Sequence, residues 1–199
     1  MINYGQTYLE EGMSYEQYRQ LVDERLAAGE TTSGDASQEM LHYTKMNVQR
    51  MNRLDKTVHL HEDLLQVLMN LKQKYHLLVI SEGWCGDAAQ IVPVFHQLEQ
   101  AAPSSLDLRL VLRDQHLELI DAHLTNGGRS IPVLLVLNEA FELVVKWGPR
   151  PAVLKPMLEE WKKLSDNIMV VSEHLHAWYA KDKTQAIQEE LSSLFKSLD

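Results

Sequence analysis

The chain has 199 residues, 45% apolar and 24% charged, with a net charge of −9 and one cysteine. That is enough apolar sequence for one sizeable core, and a lone cysteine excludes an intramolecular disulfide framework or a Cys-only metal site. The acidic balance argues against nucleic acid and against an anionic membrane surface as partners, and no apolar run is long enough to span a bilayer.

Met1 to Gly5 show no charged region followed by an apolar one, so no secretory signal is expected and cytoplasmic residence is the default. Residues 1 to about 57 read as helical. Ser14 and Gln17 have the spacing of a capping box, and Tyr15, Tyr18, Leu21, Val22 and Leu26 share one face. Gly29 ends that helix, and a second run from Ala36 to Lys56 follows a short loop. His61 to Gln73 predicts a third amphipathic helix, and His76 to Ser81 a buried strand. After Trp84-Cys85-Gly86-Asp87 a helix is expected to about Ala102, stopping before Pro103. Leu106 to Leu112 predicts a strand, and Asp114 the cap of a helix reaching about Leu124. Asn126-Gly127-Gly128 marks a loop. Val133 to Leu137 and Phe141 to Trp147 predict a hairpin turned at Asn138-Glu139. Helices then fill the chain beyond Gly148-Pro149-Arg150-Pro151. A crossover helix between the first two strands makes them parallel, and the hairpin adds an antiparallel pair.

Cys85 lies where a buried strand meets a helix. Unpaired N–H groups and the dipole at a helix start stabilise a thiolate, so a lowered pKa is expected there. The competing reading of a single cysteine is a small buried hydrophobe. Gly86 allows close approach, and Trp84 supplies an apolar wall.

Trp84-Cys85-Gly86-Asp87-Ala88 resembles the thioredoxin motif Trp-Cys-Gly-Pro-Cys, with Asp for Pro and Ala for the second Cys. Ser130-Ile131-Pro132 is similar to the segment carrying that family's cis-proline, and Gly148 resembles the glycine that shapes its substrate groove. The chain is also similar to a bacterial thioredoxin-like family with Trp-Cys-Gly-Asp-Ala and Gly-Gly-Arg-Ser-Ile-Pro. The resemblance covers about residues 61–165, which would make 1–60 and 166–199 helical extensions. It implies an α/β fold with a mixed four- or five-stranded sheet flanked by helices. No counterpart of the family's first strand is visible before His61, which favours four strands. It also implies that Pro132 is cis and faces Cys85, and that the backbone of Ile131 pairs with a bound peptide or glutathione.

The departures shape the expected chemistry. Ala88 stands where the resolving cysteine would be, so release of a mixed disulfide on Cys85 would need an external thiol. Such a thiol is a protein, glutathione or another low-molecular-weight thiol, and no bound cofactor or metal is expected. The family's buried acid aligns with Val79. Asp87 reads either as a substitute base or as a helix cap, and its charge would oppose the thiolate. Arg129 reads as a carboxylate fork or a surface ion pair, and Glu82 as a proton acceptor or an exposed acid. The pairs His59/His61 and His174/His176 read as solvated or capping residues, and Trp161, Trp178 and Tyr179 as packing anchors. Three functions remain open: a monothiol oxidoreductase acting through Cys85, a redox-inactive binding module, and a redox sensor.

Overall fold

In the computed structural model, which describes residues 2–198, a four-stranded sheet has the order β2-β1-β3-β4. Strand β1 (Tyr75–Ser81) runs parallel to β2 (Leu106–Leu112) and antiparallel to β3 (Val133–Leu137), which pairs with β4 (Leu143–Trp147) as a hairpin. The register sets Val79 opposite both Leu110 and Leu134. Central β1 and β3 are buried along their whole length, which accounts for their apolar runs Leu77–Ile80 and Val133–Leu137, whereas β4 is exposed at Leu143, Val144 and Lys146, half-buried at Val145 and buried at Trp147.

Helix α5 (Gly86–Ala101) is the crossover between β1 and β2, and its Ile91, Val92, Val94, Phe95 and Leu98 have no exposed surface. The preceding helices are α1 (Tyr4–Gln6), which runs into a π-turn at Thr7–Glu11, then α2 (Tyr15–Ala27), α3 (Gln38–Thr57) and α4 (Glu62–Met69). The capping box at Ser14 forms in both directions, with Ser14 N–H donating to Gln17 and Gln17 N–H to Ser14 Oγ. After β2 come a 3₁₀ turn at Arg113–Gln115 and α6 (Leu117–Asp121). After β4 come α7 (Leu154–Leu164), α8 (Ile168–Asp182) and α9 (Gln185–Lys196).

The two ends of the chain meet on the domain. Gln188 of α9 accepts from His61 N–H at 2.7 Å and donates to the carbonyl of His59 at 3.2 Å, while Tyr75 donates to the carbonyl of Leu198. Near the N-terminus, Met13 exchanges both backbone hydrogen bonds with Leu110, at 2.9 and 2.8 Å, and so occupies part of the outer edge of β2.

Three expected elements differ. Asp114 caps no long helix: its N–H donates to Glu82 at 3.0 Å, and the chain makes a 3₁₀ turn and one short helix instead. The third helix ends at Met69, well before Gln73, where Asn70 turns out of helical geometry. The return strand starts at Leu143, because Asn138 Oδ1 accepts from the N–H groups of Ala140 and Glu142 and holds a wider loop.

Gly148, just after β4, has φ +114°, and a Cβ there would come within 2.5 Å of the Pro132 carbonyl oxygen. Both features require glycine. Gly148→Ala is expected to destabilise the protein by about 1–3 kcal/mol, read from urea unfolding monitored by circular dichroism.

Candidate functional site at Cys85

Strand β1 ends at Ser81, and four residues later Cys85 is the N-cap of α5. The turn between them is held by buried polar groups. Tyr18 and Ser81 hydroxyls are 3.0 Å apart, Gly83 N–H donates to Thr32 Oγ1 at 3.1 Å, and Asn47 Nδ2 donates to the Gly83 carbonyl at 3.1 Å. Glu82 is fully buried, contrary to its reading as an exposed acid. It takes hydrogen bonds from Thr32 Oγ1 and Asp114 N–H, and burial raises its pKa against those two bonds. It therefore ties the loop before α3 to both the end of β1 and the turn after β2.

Cys85 is 8% exposed. Its Sγ accepts from Ala88 N–H at 3.5 Å, as an N-cap should, and donates to the Ile131 carbonyl at 3.3 Å. The Ile131–Pro132 peptide is cis, as the resemblance implies, and the backbone of Ile131 faces the thiol. The expected lowering of the thiol pKa does not hold. Burial and the neighbouring Asp87 charge push Cys85 up to about 12, outweighing the first-turn N–H groups and Arg150.

Asp87 is not the helix cap, a place Cys85 takes. It is 5% exposed, accepts from Tyr179 Oη at 2.8 Å, and pairs with Arg150 at 2.6 Å. Burial raises its pKa, opposed by Arg150 and Tyr179. Its partners come from the segment after β4 and from α8, so this carboxylate gathers three distant parts of the chain at the start of α5.

The start of α5 beside Cys85 is flanked by α3 and α8. A Cβ on Gly86 would lie 2.8 Å from two atoms of the His176 ring and 3.8 Å from Arg50. The close neighbour of Gly86 is thus a side chain, and the glycine makes room for α8. Burial, and secondarily Arg50, lowers the His176 pKa to about 4. His174 stacks on Trp161, and Trp178 packs edge-on to Tyr179. Among the described residues, no group of three or more His, Cys, Asp and Glu could hold a metal ion.

Beside α8 an open groove of about 470 Å³ remains, lined by Trp84, Cys85, Gly86, Asp87 and Ile131 and by three arginines, Arg113, Arg129 and Arg150. Arg113 lies over the Trp84 ring at 4.6 Å and pairs with Asp114. Arg129 forks onto Asp121 at 2.6 and 2.8 Å, so at rest it makes the surface ion pair. Sequence reasoning singled out Trp84, Cys85, Gly86, Asp87, Arg129, Ile131 and Pro132. The structure gathers the first six on this groove, with Pro132 adjoining through Ile131. It missed Arg113, Arg150, Tyr179 and His176, which no local motif marks.

A cysteine capping the helix that follows a central strand, opposite an Ile–Pro corner, gives the site of a thioredoxin-like α/β protein. A family model described as thioredoxin matches residues 33–162, and the chain belongs to that family. The match begins in the loop ahead of α3, upstream of the boundary at 61 expected from the sequence. Two solved structures share the fold over nearly the whole chain. A protein of unknown function from Pseudomonas aeruginosa is 20% identical with a TM-score of 0.56, covering 94% of this chain and 99% of that one. An HIV epitope-scaffold is 18% identical with a TM-score of 0.54, covering 93% and 99%. No curated protein matches significantly.

Two outcomes follow. Because the Asp87 charge raises the thiol pKa, Asp87→Asn should lower it. The pH midpoint of Cys85 alkylation then falls relative to the native protein, with Cys85→Ser as the blank. Because the folded state holds His176 at about 4 rather than 6.5, protons favour unfolding in that window. The stability that the neutral imidazole contributes is present above pH 6.5 and is lost progressively down to about 4. Urea unfolding of the native protein should therefore weaken across that window more steeply than that of His176→Gln.

Proposed function

We propose that this protein is a thioredoxin-like single-cysteine thiol–disulfide oxidoreductase that works through a mixed disulfide at Cys85 and takes its resolving thiol from outside. The observation that carries this reading is the position of the Cys85 sulfur, 3.3 Å from the Ile131 carbonyl on an arginine-lined groove. Disulfide exchange needs the thiolate, and a thiol pushed up to about 12 is protonated at neutral pH. Asp87 is suited to take the proton. Burial raises its own pKa, and on protonation it loses the negative charge that opposes the thiolate. The Arg150 guanidinium then faces the sulfur with its carboxylate partner neutralised.

In the first step the Cys85 proton passes to Asp87 and the thiolate attacks a disulfide R–S–S–R′. The Cys85–S–S–R bond forms, the R–S–S–R′ bond breaks, and R′S⁻ leaves with the proton from Asp87. A second thiol R″SH, from a protein or a small thiol such as glutathione, then attacks the R sulfur. It restores Cys85 as the thiol and releases R–S–S–R″. The sum is R–S–S–R′ + R″SH → R′SH + R–S–S–R″, one disulfide exchanged for another with Cys85 regenerated, so electrons balance. Ala88 offers no internal thiol, so turnover depends on R″SH. A reducing cytoplasm would supply it. No helix among the described residues is long and apolar enough to cross a membrane.

A second reading is carried by the same thiol's burial. If Cys85 stays buried and protonated, the groove recognises a peptide or protein partner without redox turnover. Intact-mass measurement after incubation with glutathione disulfide separates the two. The oxidoreductase reading expects one glutathione added to the native protein, none to Cys85→Ser, and reversal by free thiol. No adduct in the folded protein, with adduct appearing only in urea, would leave the binding module.

A further inference from the structure

A second cleft of about 510 Å³ opens between the end of β4, the 148–152 turn and α7. It shares Ser130 and Arg150 with the Cys85 groove, so the two adjoin on the surface. Its charge is opposite to that of the molecule. The protein carries −9, yet this cleft is lined by Lys146, Arg150, Lys155 and Lys162 against one acid, Glu190. That acid is already engaged, accepting from Trp147 Nε1 at 2.8 Å and from Ala152 N–H at 2.6 Å.

Lys155 and Lys162 are not. Among the described residues none of the three ammonium groups enters an ion pair, and Lys146 donates only to the carbonyls of His123 and Leu124, at 3.0 and 3.1 Å. Cations outside any ion pair on one wall of a cleft attract carboxylates. A single small anion would fill one end and leave the other empty, whereas an extended chain can reach from the lysines to Cys85. An acidic chain would be repelled by most of this protein's surface, so the basic cleft also fixes where it lands.

We propose that the partner of Cys85 is an acidic peptide segment, whose carboxylates occupy the Lys146–Lys155–Lys162 cleft while its sulfur-bearing residue lies in the Cys85 groove. The location of the sulfur rests on the oxidoreductase reading. The acidic recognition does not, because it would equally serve a binding module.

The test is calorimetric titration of the full chain with a short blocked peptide carrying a run of glutamates, beside the same peptide with glutamines. The glutamate peptide should bind and weaken as salt is raised. In a Lys155→Glu/Lys162→Glu double variant its affinity should fall about tenfold or more. Both substituted residues are exposed on α7, and circular dichroism checks that the variant is folded. Cys85→Ser should bind the peptide as the native protein does. Equal binding of the two peptides, or affinity unchanged in the double variant, would overturn the proposal. So would full displacement by citrate at the affinity of the peptide itself, which would mark a small-anion site. A glutamate peptide that binds yet, when its cysteine is supplied as a disulfide with glutathione, forms no mixed disulfide with Cys85 and releases no glutathione would sink the oxidoreductase reading and leave this recognition standing.

Discussion

The contact on which the site depends is the buried pairing of Asp87 with Arg150, closed by the Tyr179 hydroxyl. It fastens the first turn of α5 to the segment after the hairpin and to helix α8. These parts lie far apart in sequence. A carboxylate this deep is tolerable because both of its oxygens are engaged and a guanidinium neutralises it. Removing either partner would strand a charge beside Cys85.

The same pairing explains why the thiol is quiet at rest. A helix N-cap ordinarily favours an anion, and Ala88 N–H does point at the sulfur. Yet the Asp87 carboxylate sits in the same first turn, and burial withdraws the water that would solvate a thiolate. These two effects raise the pKa against the first-turn N–H groups and Arg150, and burial is the largest of them. The thiol pKa at Cys85 is therefore set by burial and Asp87 more than by the helix that carries the sulfur.

Much of the fold could be read in the sequence because its signals are local. The apolar runs at Leu106–Leu112 and Val133–Leu137 coincide with β2 and β3, and the Ser14–Gln17 box forms as spaced. Cys85, Trp84 and Ile131 were legible from motifs a few residues long. What escaped is long-range. Asp114 looks like a helix cap in its own neighbourhood, but its N–H is claimed by Glu82, thirty-two positions earlier in the chain. Gly86 looks like an opening for a backbone, and the ring that fills it belongs to His176. Glu82, Arg150 and Tyr179 are ordinary polar letters until the sheet brings their partners to them. The raised thiol pKa follows from those partners, so no reading confined to the α5 junction could have found it.

The two margins of the sheet are closed by different means. On the β2 side, Leu110 spends its outward N–H and C=O on Met13, so the N-terminal segment stands where a foreign strand would dock. On the β4 side, a lysine sits in mid-strand and its ammonium is anchored to the carbonyls of His123 and Leu124. Open strand margins invite edge-to-edge association, and a bound flanking segment or an edge lysine discourages it. With both margins guarded, a sheet built on two buried central strands gains protection against recruiting its own copies into larger β-assemblies.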